Sequence, residues 1–176
     1  SRSRLIVLQE IRFSQPLQPQ VMTEIGRFLY MRCEIYSDLI LDVAFVWTFN
    51  GEVINQYEDE FKNDRVQINY NELMIYNTTL LDSGFYECIA KSAVNQISSR
   101  SHVIVLGPPG MAGGVKVIDI KKTEATLEWI DGADNGGRIF SYDIFARTNW
   151  NKTWHLVGMN VTAQEVDRYT GRKRAE

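Results

Sequence analysis

An all-β chain of two sandwiches is the fold this sequence predicts. Three observations predict it. Apolar and polar residues alternate through several short runs, and a period of two marks half-buried antiparallel strands. No run of ten or more residues carries a clean helical period. A proline- and glycine-rich stretch, GPPGMAGG at residues 107–114, interrupts the pattern, which then resumes. Two prolines and four glycines there cannot continue a central strand, so the stretch reads as a domain boundary.

The elements follow in order. In RFLYMRCEI, Leu29, Met31, Cys33 and Ile35 share one face, and Tyr30, Arg32 and Glu34 share the other. In FVWTF, Phe45, Trp47 and Phe49 point one way. Asn50-Gly51 directly behind that run is a tight-turn signal. Leu73 and Ile75 mark a further strand, and FYECIA sends Tyr86, Cys88 and Ala90 to one side. HVIVL closes the first half with Val103 and Val105. Beyond the boundary, Ala125, Leu127 and Trp129 alternate in ATLEW, and Tyr142, Ile144 and Ala146 alternate in SYDIFA. DGADNGG between them reads as a hairpin loop, and TWHLV as another strand.

Composition narrows the function classes. Apolar residues make up 44% of the 176 and charged ones 23%, the balance of a globular protein and not of a disordered one. A net charge of −3 argues against nucleic acid as a partner. No apolar run approaches the ~18 residues that span a bilayer, so no direct membrane insertion of this segment is expected. Met is not the first residue and no leader pattern opens the chain, which reads as a piece of a longer polypeptide. Two cysteines, Cys33 and Cys88, are either two buried thiols or one bridge, and a secreted context favours the bridge.

The stretch LDSGFYECIA, residues 81–90, spaces Asp82, Gly84, Tyr86 and Cys88 two apart. Upstream, Trp47 follows Cys33 on the next strand with its face inward. This Cys…Trp…Cys order resembles immunoglobulin domains. The resemblance implies a bridge between Cys33 and Cys88 joining two packed sheets. Tyr86 matches a tyrosine corner, whose hydroxyl ties the preceding turn to the strand. Asp82 then accepts hydrogen bonds in the turn, and Gly84 supplies backbone freedom there. The second half resembles the start of a fibronectin type III domain: a Pro-Pro-Gly entry, Trp129 on an early strand, then Tyr142 and Ile144 after a Gly-Gly turn.

Three longer stretches narrow the resemblance. LDVAFVWTFNGEVIN, NELMIYNTTLLDSGFYECIAKS and GPPGMAGGVKVIDI together are similar to the junction between the last immunoglobulin domain and the first fibronectin domain of contactins, with an invertebrate member the nearest in kind. The fold expected is therefore an I-set-like immunoglobulin β-sandwich over 1–106, followed by an incomplete fibronectin type III β-sandwich over 107–176. A complete second domain takes about 90 to 100 residues, by analogy with the immunoglobulin sandwich. The chain reaches RKRAE about where a fifth strand begins, so only the first strands of that domain are expected.

Candidates for chemistry are few. His102 and His155 fall one in each half, away from cysteines and carboxylate clusters, and read as isolated surface histidines. GMAGG does not precede a helix and reads as linker, not phosphate loop. Asp131 and Asp134 in DGADNGG lack the spacing of a calcium loop. The acidic run Glu58, Asp59, Glu60 reads as a solvated loop, with a calcium or partner patch the minority reading. No metal, cofactor or catalytic residue is therefore assigned. Three stretches fit the N-glycosylation pattern: Asn77-Thr78-Thr79, Asn151-Lys152-Thr153 and Asn160-Val161-Thr162. Trp150 and Trp154 flank Asn151, either as an exposed aromatic contact or packed on the sheet. Arg168, Arg172, Lys173 and Arg174 form a basic cluster, read as a solvated strand edge with acidic glycans as the lesser alternative.

The resemblance implies a non-enzymatic, glycosylphosphatidylinositol-anchored adhesion protein at the cell surface. Its partners would be other cell-surface proteins of the immunoglobulin or neurexin families. This segment would act mainly as spacer and hinge, stiffened by its Pro-Pro pair. A receptor tyrosine phosphatase ectodomain is the alternative, since it also runs from immunoglobulin to fibronectin domains.

Overall fold

The computed structural model describes residues 7–55, 65–167 and 169–175. The acidic run Glu58-Asp59-Glu60 and Arg168 lie outside the described residues. Two compact units divide the chain, Ser1–Leu106 and Gly107–Glu176.

The first unit is built from ten strands: β1 (Arg12–Gln15), β2 (Gln20–Glu24), β3 (Leu29–Arg32), β4 (Glu34–Tyr36), β5 (Val43–Phe49), β6 (Glu52–Val53), β7 (Val66–Asn69), β8 (Glu72–Ile75), β9 (Gly84–Ser92) and β10 (Gln96–Leu106). A five-stranded sheet runs β2-β10-β9-β5-β6, a three-stranded sheet runs β3-β8-β7, and β1 pairs with β4. β10 runs antiparallel to β9 but parallel to β2, with His102 opposite Gln20 and Leu106 opposite Glu24. A strand that pairs parallel to the last strand of the sheet must first have crossed over, and Pro16 and Pro19 lie in the crossing between β1 and β2.

The alternating residues fill the space between the sheets. Leu29, Met31, Trp47, Leu73, Ile75, Tyr86, Val103 and Val105 are all buried in one cluster with both cysteines. Full burial of each large apolar side chain contributes about 1.5–3 kcal/mol, so this layer dominates the unit's stability. A second cluster of Ile11, Leu41, Val43 and Ala90 closes one end. The run through Cys33 breaks into β3 and β4 because Asn71 takes over pairing there. The Cys33 N–H donates to the Asn71 carbonyl at 2.9 Å, and Asn71 Nδ2 donates to the Cys33 carbonyl at 2.9 Å. Asn50 and Gly51, with φ of 50° and 90°, make the two-residue hairpin between β5 and β6.

The second unit holds β11 (Gly113–Ile120), β12 (Ala125–Ile130), β13 (Tyr142–Ala146), β14 (His155–Val161), β15 (Gln164–Asp167) and β16 (Arg172–Ala175). They form a four-stranded sheet β11-β12-β16-β15 and a pair β13-β14. DGADNGG is therefore not a hairpin loop. It leaves β12 in one sheet and enters β13 in the other. GPPGMAGG is likewise more than linker. Gly107 N–H donates to the Asn135 carbonyl at 3.0 Å, Gly110 N–H to the Ala133 carbonyl at 2.8 Å, and Asn135 Nδ2 to the Pro108 carbonyl at 2.5 Å. Gly132 permits this approach, because a Cβ there would lie 2.3 Å from the Gly110 carbonyl oxygen. β12 is covered on both faces. Trp129, Thr126 and Glu128 are buried while Ala125 is exposed, so one-sided alternation does not describe this strand.

Candidate functional site

The centre of the first unit is a disulfide. Cys33 and Cys88 are bonded, with Cα atoms 6.3 Å apart and 55 residues between them in sequence. Closing a loop of that length contributes about 4 kcal/mol on a chain-entropy estimate. Trp47 is the strand partner of Cys88 and is 1% exposed.

The turn leading to Cys88 is held by side chains. Leu80–Asp82 form a single 3-10 turn, and the Asp82 carboxylate closes it by accepting the Thr79 N–H at 2.6 Å and the Thr79 hydroxyl at 3.0 Å. Tyr86 then reaches back, its hydroxyl donating to the Asp82 carbonyl at 3.0 Å. Burial pushes the Tyr86 hydroxyl well above its ordinary pKa, helped by the Asp82 charge. Gly84 has a different role from the freedom expected of it. Its φ is not positive, and a Cβ would lie 2.5 Å from Phe49 Cε2 and 2.8 Å from Asn50 Oδ1. Space excludes a side chain there, because Asn50 sits against the strand start and accepts the Phe85 N–H at 2.9 Å.

Besides Asn71, two more scaffold residues of this unit escape a reading of the sequence. Arg65 forks onto Asp82, with Nη1–Oδ2 at 2.7 Å and Nη2–Oδ1 at 3.0 Å. Burial would raise the Asp82 carboxyl, but Arg65 and Thr79 outweigh it and hold the pKa below its ordinary value. Asn95 imitates a strand partner for Ile11, accepting its N–H at 2.9 Å and donating to its carbonyl at 3.0 Å. Neither contact has a local signal, since the partners lie 17 and 84 residues apart.

In the second unit Trp129 packs edge-on to Tyr142, ring centres 4.8 Å apart. The Tyr142 hydroxyl donates to Asp131 Oδ1 at 2.5 Å. Burial, then the Asp131 bond, pushes Tyr142 up to about 12. Arg172, Lys173 and Arg174 are not on a strand edge: β16 lies between β12 and β15. Arg174 Nε donates to Glu128 Oε1 at 3.0 Å, Arg172 lies 3.8 Å from Glu128 Oε2, and Lys173 lies 3.8 Å from Asp131 Oδ2. These cations already answer carboxylates of their own unit.

His102 stacks on Phe85 at 4.5 Å, and Arg100 lies 3.9 Å over the same ring. His155 Nε2 lies 3.0 Å from the Asn151 amide. Among the described residues, no three His, Cys, Asp or Glu side chains gather as a metal site. Of the sequon asparagines, Asn77 and Asn160 sit at φ of 50° and 53°, and all three side chains are exposed. Outward aromatics are the remaining feature. Phe28 packs on Tyr76 at 4.8 Å and on Tyr30 at 6.5 Å along the outer face of the three-stranded sheet. Alternation marks these positions as outward but does not tell that they meet.

Comparison with known proteins settles the family. Residues 11–105 match the immunoglobulin I-set domain model. Contactin of Drosophila melanogaster is 47% identical over 176 residues, 100% of this chain and 12% of that protein. The chain belongs to the contactin family. Human Contactin-3 is 34% identical over 157 residues, 88% of this chain and 15% of that one. Contactin-5 of Gallus gallus is 36% identical over 135 residues, 76% of this chain and 13% of that one. The higher identity to the insect protein sets this contactin chain with invertebrate members. An I-band fragment from titin superposes with a TM-score of 0.55 at 17% identity, covering 95% of this chain and 54% of that one, which speaks to fold alone. The contactin chain thus spans only about an eighth of its curated relatives' length.

Proposed function

We propose that this chain is a non-enzymatic extracellular module of a cell-adhesion protein. The full protein is glycosylphosphatidylinositol-anchored, and the segment holds its recognition domains at a set distance from the membrane. The observation that carries this reading is the 47% identity to Drosophila Contactin along the whole chain, on a sandwich bolted by a disulfide. Disulfides of this kind persist in oxidising compartments, which supports a place outside the cell.

The second unit is the beginning of a fibronectin type III domain. Its four-stranded sheet, its separate β13–β14 pair and the Trp129–Tyr142 contact support that reading. The short join supports a spacer with limited bending. The Pro108-Pro109 pair at the start of the second unit supports a stiff entry to it. Partners are other cell-surface proteins of the immunoglobulin or neurexin families, bound by the full ectodomain. Acidic glycans are the weaker candidate, because Arg172, Lys173 and Arg174 answer Glu128 and Asp131.

A replacement experiment tests the spacer role. The segment is exchanged for an unrelated rigid pair of domains of similar length within the full protein, and binding of the ectodomain to cell-surface proteins is measured. Binding retained by the exchange and weakened by simple deletion is expected. Binding lost in the exchange would mean that the segment itself holds the contact.

A further inference from the structure

We propose that β3 accepts an extended segment of a partner polypeptide as an added strand, with basic residues facing out and a hydroxyl-bearing residue seated against Ser101. The contact is additional to the spacer role and lies wholly within the first unit.

The edge is open because the chain leaves it. β1 pairs with β4 from Arg12 to Gln15, then crosses through Pro16 and Pro19 to β2 in the other sheet. β3 remains as the edge of the three-stranded sheet, and no strand pairs with its outer side among the described residues. Its main-chain directions follow from Cys33, whose N–H donates to the Asn71 carbonyl on the β8 side. Successive residues of a strand turn opposite ways. Leu29 and Met31 therefore also bond towards β8, and Tyr30 and Arg32 present N–H and C=O to the open side. An unpaired edge of this kind is matched by another extended backbone.

A cleft of about 340 Å³ lies beside that edge, with Leu17, Val21, Met31, Arg32, Glu34 and Ser101 in its lining. Ser101 brings an unmet hydroxyl to it. The residue is 1% exposed and faces inward opposite Tyr86, and its Oγ has no hydrogen-bond partner among the described residues. Ser99, the inward residue before it on β10, does have one, accepting the Leu17 N–H at 2.9 Å. Buried polar atoms are rarely left without a partner. A hydroxyl on an inward side chain of the added strand offers Ser101 both a donor and an acceptor.

Charge selects the outward residues. Arg32 Nη1 lies 3.3 Å from Glu34 Oε1, and Arg32 Nε lies 3.8 Å from Glu72 Oε1. The Tyr30 hydroxyl donates to the same Glu72 oxygen at 2.6 Å. Two carboxylates thus share one guanidinium, and the surplus charge is negative. Lysine or arginine on the outward side of the added strand is favoured, and glutamate is opposed. A second copy of β3 fits less well. Its inward side chains, Leu29 and Met31, are buried in its own core and cannot reach Ser101.

The test uses the full native ectodomain. The probe is a labelled peptide of about eight residues, a usual strand length, alternating lysine and threonine. Fluorescence anisotropy reads binding, and hydrogen exchange reads the amides of residues 28–32. Binding with slowed exchange there is expected. The same peptide with glutamate for lysine, or with alternate amides N-methylated, should bind at least about tenfold more weakly. N-methylation keeps the charge, so it separates strand addition from plain electrostatic attraction. Ser101→Ala should weaken binding about fivefold and leave the free protein no less stable, because it removes an unmet hydroxyl. Arg32→Pro removes an outward N–H and spares the β8 ladder, so it should abolish binding. Should that variant not fold, the N-methylated peptide probes the same bonds from the other side. No binding at about 1 mM peptide, or equal binding by the N-methylated peptide, would overturn the proposal. Binding that Ser101→Ala leaves unchanged would overturn the seat. Self-association of the ectodomain that excludes the peptide and is lost in Arg32→Pro would overturn the partner, placing a second copy on the edge.

Discussion

Replacing Arg65 by Met probes the fork that closes the turn before Cys88. Methionine keeps much of the aliphatic packing and removes the charge. Asp82 is only 7% exposed, so it cannot recruit water in place of the lost donors. Two charge-assisted hydrogen bonds go, at 2.7 and 3.0 Å, while the two from Thr79 remain. Breaking a buried pair by removing one partner costs about 3–5 kcal/mol, and the partial exposure of Arg65 points to about 3. In a unit of this size that is a fall in Tm of roughly 12 °C or more. The pH dependence adds a second signature. In the wild type the Asp82 carboxyl is held below its ordinary pKa. Its contribution is therefore complete above the unfolded value of about 3.9 and is lost as pH falls through the lower folded value. In the variant burial prevails and the carboxyl rises, so protonation relieves the variant as pH falls. The gap between the two proteins should then be widest near neutrality and narrow towards about pH 4. Urea unfolding followed by tryptophan fluorescence at several pH values measures it. A loss below about 1 kcal/mol, the value of an exposed pair, or a gap that ignores pH, would refute the reasoning.

Further outcomes follow from neighbouring contacts. Cys33→Ala with Cys88→Ala should lower stability by about 4 kcal/mol in urea unfolding, the worth of closing the 55-residue loop. Gly84→Ala should cost about 1–3 kcal/mol through overpacking against Phe49 and Asn50, and combining it with Asn50→Gly should recover part of that. If freedom of the backbone were the reason for Gly84, the second change would recover nothing. Asp131→Asn should bring the Tyr142 pKa down from about 12 without returning it to 10.0, because burial remains. Ultraviolet titration of the phenolate reads that shift, and an unmoved pKa would deny the Asp131 contact.

The first unit could be read closely from its sequence because its signals are local. Period-two alternation places Leu29, Met31, Trp47, Tyr86 and Cys88, and each of them is buried. Asn50-Gly51 announces its own turn through the positive φ that both residues adopt. What escaped is non-local. Arg65, Asn71 and Asn95 act on residues far along the chain, and a polar residue in a loop gives no hint of a buried partner. The second unit misled in a different way. DGADNGG has the composition of a hairpin turn, yet composition does not say whether the next strand joins the same sheet or another. The arginines of β16 are exposed as the sequence suggested, but their counter-charge, Glu128, sits on a strand 46 residues from Arg174 and gives no local signal.

Asp82, Tyr86 and Cys88 are parts of one scaffold, whose proposed place is outside the cell. Mass spectrometry of the unreduced protein, taken from the surface of the cells that make it, tests this most directly. A single cross-linked peptide pair joining Cys33 to Cys88 is the expected result. Two free thiols would contradict both the bolted sandwich and its place outside the cell.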